Sequence, residues 1–196
     1  MLSLTWWIGR PWRFVWGPME LSAIVAATLL LGGGIALGML LERRDVRWAV
    51  WWGRWFVARI LAWVERHPRS IRRIALLIWS VNSLTVGLVV LACWAPPLSA
   101  LLLVAAGLNT GVGLQRLGGT RALLVLLMPH AWIELPAVVT AGAAALQASA
   151  YTFGLNWFDP VADPVWALAF FLRSSLWLLL GAAVLEAAML SVRARE

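Results

Sequence analysis

Residues 19–41, MELSAIVAATLLLGGGIALGMLL, decide the fold class. At a rise of about 1.5 Å per residue this stretch reaches ~34 Å, enough to cross a hydrocarbon core of ~30 Å with some tilt. Beyond Glu20 it carries no charge. It is too long for the core of a signal peptide and lacks an A-x-A cleavage pattern. Comparable apolar runs follow at about 74–94, 97–114, 122–150 and 164–190. Composition agrees: 62% of the 196 residues are hydrophobic, 13% are charged, and mean hydropathy is +0.83. Soluble domains run about 45–50% apolar and ~25% charged, and the polar residues here are too few to cover a soluble monomer. The expectation is an all-α polytopic transmembrane bundle, one membrane domain over 1–196 with five spans.

Residues 42–73, ERRDVRWAVWWGRWFVARILAWVERHPRSIRR, separate the first two spans and hold nine of the sixteen Arg; there is no Lys. On a helix, Arg47, Trp48, Trp51, Arg54, Trp55, Arg59 and Arg66 fall on one side, and Ala49, Phe56, Val57, Ile60 and Val64 on the other. This pattern predicts an interfacial amphipathic helix over about 45–66, lying in the headgroup plane. A sixth span would put Arg54 and Arg59 near mid-bilayer at ~2.5–3.5 kcal/mol each. His67-Pro68 ends the helix. With Arg43 and Arg44, the Arg and Trp side chains suit anionic lipid headgroups or a partner better than nucleic acid. The positive-inside rule places 42–73 in the cytoplasm of a cell whose inner membrane the chain spans several times. The N-terminus is then outside and the C-terminus inside, at the cost of leaving Arg10 and Arg13 outside.

Residues 122–150 would measure ~43 Å as one straight helix and contain Pro129 and Pro136. The segment either kinks strongly or breaks before Pro129 into a short piece and a full span. His130 and Glu134, four apart, share a face between the two prolines. They form either a polar knot that holds a broken helix together or a metal or acid–base site. HExxH is absent and His67 is the only other His. No metal, cofactor or catalytic group is therefore expected. Arg173 is expected to pair with Glu134, because neither charge is tolerated alone in a bilayer. Glu186, near the inner end of the last span, is read as reaching the interface. Asn82 and Asn109 read as interhelical hydrogen-bond partners. Gly34 and Gly38, four apart, either admit a close helix neighbour or reflect the ordinary abundance of glycine in membrane helices. The single Cys93, in an apolar run, reads as a packing residue.

The run Pro129-His130-Ala-Trp-Ile-Glu134-Leu-Pro136-Ala-Val-Val-Thr-Ala141-Gly142 resembles a Pro-His-Gly…Glu-Leu-Pro-Ala…Ala-Gly segment of the stage II sporulation protein M family. Asn82, and Asn109-Thr-Gly111-Val-Gly113, match family segments in the same order. The resemblance covers about 70–190; Ala131 and Ala145 stand where the family has Gly. It implies a multispan inner-membrane protein without established enzymatic activity, the membrane member of a cell-wall-remodelling complex. Such a protein holds partners that include a peptidoglycan hydrolase. The leading expectation is thus a non-enzymatic membrane scaffold or complex subunit whose partners are membrane proteins or wall-remodelling enzymes. The rival is a permease-like or channel subunit, completed by oligomerisation or by a partner ATPase, with His130, Glu134, Arg173 and Asn109 lining a path. An intramembrane hydrolase ranks third for want of ligands.

Overall fold

The computed structural model describes residues 19–66, 70–118, 128–155, 157–158 and 163–193. Among these the regular structure is entirely helical. In chain order the helices are α1 (Leu21–Arg43), α2 (Arg47–Arg66), α3 (Ile71–Leu91), α4 (Pro96–Gly118) and α5 (Ala131–Thr152). The last stretch is α6 (Pro164–Phe170), which runs through a π-turn at Phe171–Ser175 into α7 (Leu176–Arg193). Five stretches are long and apolar enough to cross a bilayer: Leu21–Arg43, Ile71–Trp94, Pro97–Gly118, Ala131–Thr152 and Pro164–Leu190. The chain is a polytopic α-helical membrane protein. Leu21, Leu29, Leu84, Leu101 and Trp177 on its outside are each more than 60% exposed, the surface that lipid covers.

Local chemistry sets the helix ends. Ser70 caps α3 by accepting from the Arg73 amide, and Asp163 Oδ1 accepts from the Trp166 amide at 2.6 Å with Pro164 in the first turn of α6. Asp as N-cap followed by Pro at the first helical position suits a helix start, since Asp accepts a free amide and Pro lacks one. The fourth apolar segment is not one straight rod. A turn at 128–130 precedes α5, which begins at Ala131. The short upstream piece expected at 122–127 lies outside the described residues, as do Arg10 and Arg13. Pro136 sits inside α5, where it cannot donate to the carbonyl four residues back.

Helix directions follow from cross-helix contacts. Gly34 and Gly107 face each other, Gly38 lies on Leu108, and Gly111 lies on Ile35. Arg116 at the end of α4 reaches Glu42 at the end of α1. α1 and α4 are therefore parallel. α3 and α4 form a hairpin through the Ala92–Trp94 3-10 turn. α3 and α5 are parallel, since Asn82 meets Glu134 and Cys93 meets Ser149. The last helix runs antiparallel to α3, with Gly87 on Phe171 and Trp79 bonded to Leu176. These directions are those of five alternating crossings. A crossing by α2 would reverse every helix after it and make α1 and α4 antiparallel.

The tightest packing joins α1 to α4. A methyl placed on Gly34, Gly38, Gly107 or Gly111 would overlap a backbone carbonyl of the facing helix, whereas one on Gly32 or Gly33 meets nothing within 4 Å among the described residues. Small residues let these two backbones touch. α5 is the central helix: 61% of its apolar window is buried, against 22–33% in the other four. Every residue from Thr140 to Ala150 is buried. The run Ala-Gly-Ala-Ala-Ala there is small on all sides and admits neighbours all round. Ser149 Oγ donates to the Cys93 carbonyl at 3.1 Å and lies 3.3 Å from Ser99 Oγ, which satisfies two buried hydroxyls. Cys93 itself is fully buried.

Candidate functional site: a polar pocket between three helices

At the end of the bundle that also holds α2, three helices bring polar side chains together. Glu134 lies in the first turn of α5, where the helix N-terminus favours negative charge. Its Oε1 accepts from Asn82 Nδ2 of α3 at 2.8 Å. His130, in the turn that opens α5, is 8% exposed, and its Nδ1 is buried without a hydrogen-bond partner among the described residues. From α7 comes Glu186. One ligating atom each of His130, Glu134 and Glu186 lie within 4.8 Å of one another. These groups, with Asn82, Leu77, Ile78 and Val81, line a pocket of about 180 Å³. Pro129, exposed, lies in the 128–130 turn, and the Pro136 carbonyl accepts from Thr140 Oγ1 at 2.7 Å. The two prolines thus frame the segment that presents His130 and Glu134.

Two expectations change here. Arg173 does not face Glu134. It is exposed in the π-turn, thirteen residues and ~20 Å of helix away from Glu186, the residue of the last span that meets the Glu134 carboxylate. Glu186 is accordingly not an interfacial side chain but part of the pocket. The signal was faint: a lone Glu in an apolar run has no sequence neighbour that reveals which helix it meets. The scarcity of ligands inferred from the two His residues overlooked this second carboxylate. Asn109 is not among the pocket's lining residues. It sits on α4 under α2, where its Oδ1 would lie 3.0 Å from a Cβ at Gly53.

A second charged cluster ties α2 to the bundle. Asp45 turns the corner between α1 and α2 with φ of 51°, a left-handed geometry that Asp tolerates better than most residues. Arg54 binds Glu42 Oε2 and Asp45 Oδ1, both at 2.7 Å. Arg116 meets the other Glu42 oxygen at 3.1 Å, and Arg47 meets Asp45 at 3.2 Å. The hydrogen bond from Arg54, then that from Arg47, holds the Asp45 carboxyl below its usual range. Glu42 and Asp45 in turn raise the Arg54 guanidinium. Arg54 therefore belongs to the inner face with Val50 and Gly53, not to the outer face on which the helical pattern placed it. The outer face carries Trp48, Trp51 and Trp55, 86%, 62% and 43% exposed, and Arg47 and Arg59. Arg59 lies 5.0 Å over the Trp55 ring, a cation–π contact. Arg43 and Arg44 are exposed at the end of α1. The side chains of Ala49, Phe56, Val57, Ile60 and Val64 lie outside the described residues.

No family model, curated protein or solved structure matches the chain.

Proposed function

We propose that the chain is a non-enzymatic scaffold or subunit of an inner-membrane complex, with α2 on the cytoplasmic side as its docking and lipid-contacting face. The single observation that carries this reading is α2. It is too rich in Arg to cross, yet Arg54 fastens it to Glu42 at the end of α1 and to Asp45 at the corner, and Arg116 of α4 holds the same Glu42. Its outward face pairs Trp rings with guanidinium groups, the chemistry of an anionic headgroup layer or of an acidic, aromatic partner surface. The Pro129-His130…Glu134-Leu135-Pro136 likeness to the stage II sporulation protein M family supports the same reading and makes a wall-remodelling enzyme or another membrane protein the expected partner. The nine Arg of 42–73 support a cytoplasmic α2, and the alternating crossings then put the N-terminus outside and the C-terminus inside.

Photo-crosslinking from positions 48 and 51 in native membranes tests the proposal. A discrete protein adduct, lost when Trp48 and Trp51 become Ala while the bundle remains folded, is the expected outcome. Crosslinks to lipid alone would overturn the docking role. The second reading, a transporter subunit, is favoured by the His130–Glu134–Glu186 pocket. It requires a flux in proteoliposomes that Glu134→Gln abolishes.

A further inference from the structure

We infer that His130, Glu134 and Glu186 form a binding site for a divalent cation of the zinc or manganese class, with Asn82 orienting Glu134. The inference goes beyond the scaffold reading and does not depend on it.

Three features carry it. Two carboxylates face each other inside a helix bundle, and like charges that close cannot both ionise without a positive group between them. Arg173, the cation expected there, lies ~20 Å along the last helix. The third member, His130, is more than nine-tenths buried, and its Nδ1 has no hydrogen-bond partner among the described residues. A buried imidazole nitrogen of that kind is costly unless something binds it. Finally, the pocket holds about 180 Å³, room for an ion and several waters at ~30 Å³ each.

The donor set selects the class. One imidazole and two carboxylates suit borderline ions such as Zn2+, and Mn2+ by its preference for oxygen. Calcium and magnesium take oxygen ligands throughout. Ligands ~2.1 Å from a tetrahedral ion lie about 3.4 Å apart, so binding draws the three groups inward from their present 4.8 Å spread. Rotation of the two flexible Glu side chains accomplishes this. Asn82 Nδ2 occupies only Glu134 Oε1, which leaves Oε2 for the ion and fixes the carboxylate plane, as outer-shell partners of metal ligands do. Because the ligands come from α5 and the turn that opens it and from α7, an ion here would clasp the last helix to the central one.

The test uses the full chain, purified in detergent through a tag without histidine, stripped with chelator and then titrated with ZnCl2 or MnCl2. Expected are one retained ion per chain after desalting and a metal-dependent rise in melting temperature. At least a tenfold loss of affinity is expected in His130→Gln and in Glu186→Gln, and none in His67→Gln. Uptake of neither ion by the native chain, or equal uptake by all three variants, would overturn the inference. Should the pocket variants fail to fold, diethylpyrocarbonate labelling of the native chain decides. Metal must protect His130 and leave His67 reactive; equal labelling of His130 with and without metal refutes the site. A scaffold without metal, or a metal site without a docked partner, would separate this result from the fate of the functional proposal.

Discussion

Replacing Gly38 by Ala probes the contact between α1 and α4. A Cβ at this position would overlap the Leu108 carbonyl oxygen, with the carbonyl carbon at 2.9 Å and the Cα at 3.0 Å. All three are backbone atoms, so no side-chain rotation relieves the overlap and the helices must part. Overpacking of a close-packed contact costs ~1–3 kcal/mol. Removing a helical glycine returns about 1 kcal/mol of intrinsic helix preference. Gly32→Ala supplies the control, because its Cβ meets nothing within 4 Å and it gains the same preference without overlap. The preference cancels in the comparison, which leaves Gly38→Ala less stable than Gly32→Ala by ~1–3 kcal/mol. At 1.4 kcal/mol per tenfold, that is roughly a five- to 150-fold difference in the unfolding equilibrium. Unfolding in mixed micelles of mild detergent and dodecyl sulfate, followed by tryptophan fluorescence and helical circular dichroism, measures it. Equal stabilities for the two variants would refute the backbone contact and return Gly38 to the status of a lipid-facing glycine.

Other outcomes follow from the same geometry. Asn82→Ala removes the donor to the Glu134 carboxyl and is expected to destabilise the bundle by ~1–3 kcal/mol in the same unfolding assay. Ser149→Ala loses its bond to the Cys93 carbonyl but leaves no large void; a change of about 0.6 kcal/mol is expected, the usual worth of an interhelical hydrogen bond in membranes. The Asp45 carboxyl is held below its ordinary value by Arg54 and Arg47, so its contribution is fully present above the unfolded pKa and is lost as pH falls through the lower folded one. Protease cleavage within α2 should therefore stay slow at pH 5, rise below the usual carboxylate range, and already be fast at pH 5 in Asp45→Ala.

Much of this architecture is legible in the sequence because crossing a bilayer demands long uncharged runs. The first span, expected at 19–41, is the helix Leu21–Arg43, and the last, expected at 164–190, begins at the Asp163-Pro164 cap. α3 starts three residues before the apolar run at 74, since Arg72 and Arg73 fit the exposed first turn behind the Ser70 cap. What depends on register between helices is not legible. Helical periodicity put Arg54 beside the tryptophans, but the Asp45 and Glu42 carboxylates, nine and twelve residues back around a corner, draw it inward. The intolerance of a lone charge in a bilayer suggested Arg173 as the partner of Glu134. The antiparallel register of α7 against α3 brings Glu186 to Asn82 and Glu134 instead, and apolar periodicity carries no trace of that register. The His130–Glu134 pair was visible from its spacing; its third member was visible only once the chain had folded.

The central claim, five alternating crossings with α2 held on the same face as the last helix's C-terminal end, is tested most directly by thiol labelling in sealed vesicles. Cysteine is placed at Arg59 on α2 or at Trp157 between α5 and α6, both exposed, in a chain with Cys93→Ala. A membrane-impermeant maleimide applied to inside-out vesicles should label position 59 and spare position 157, and right-side-out vesicles should give the reverse. Labelling of both positions from the same side would contradict the topology.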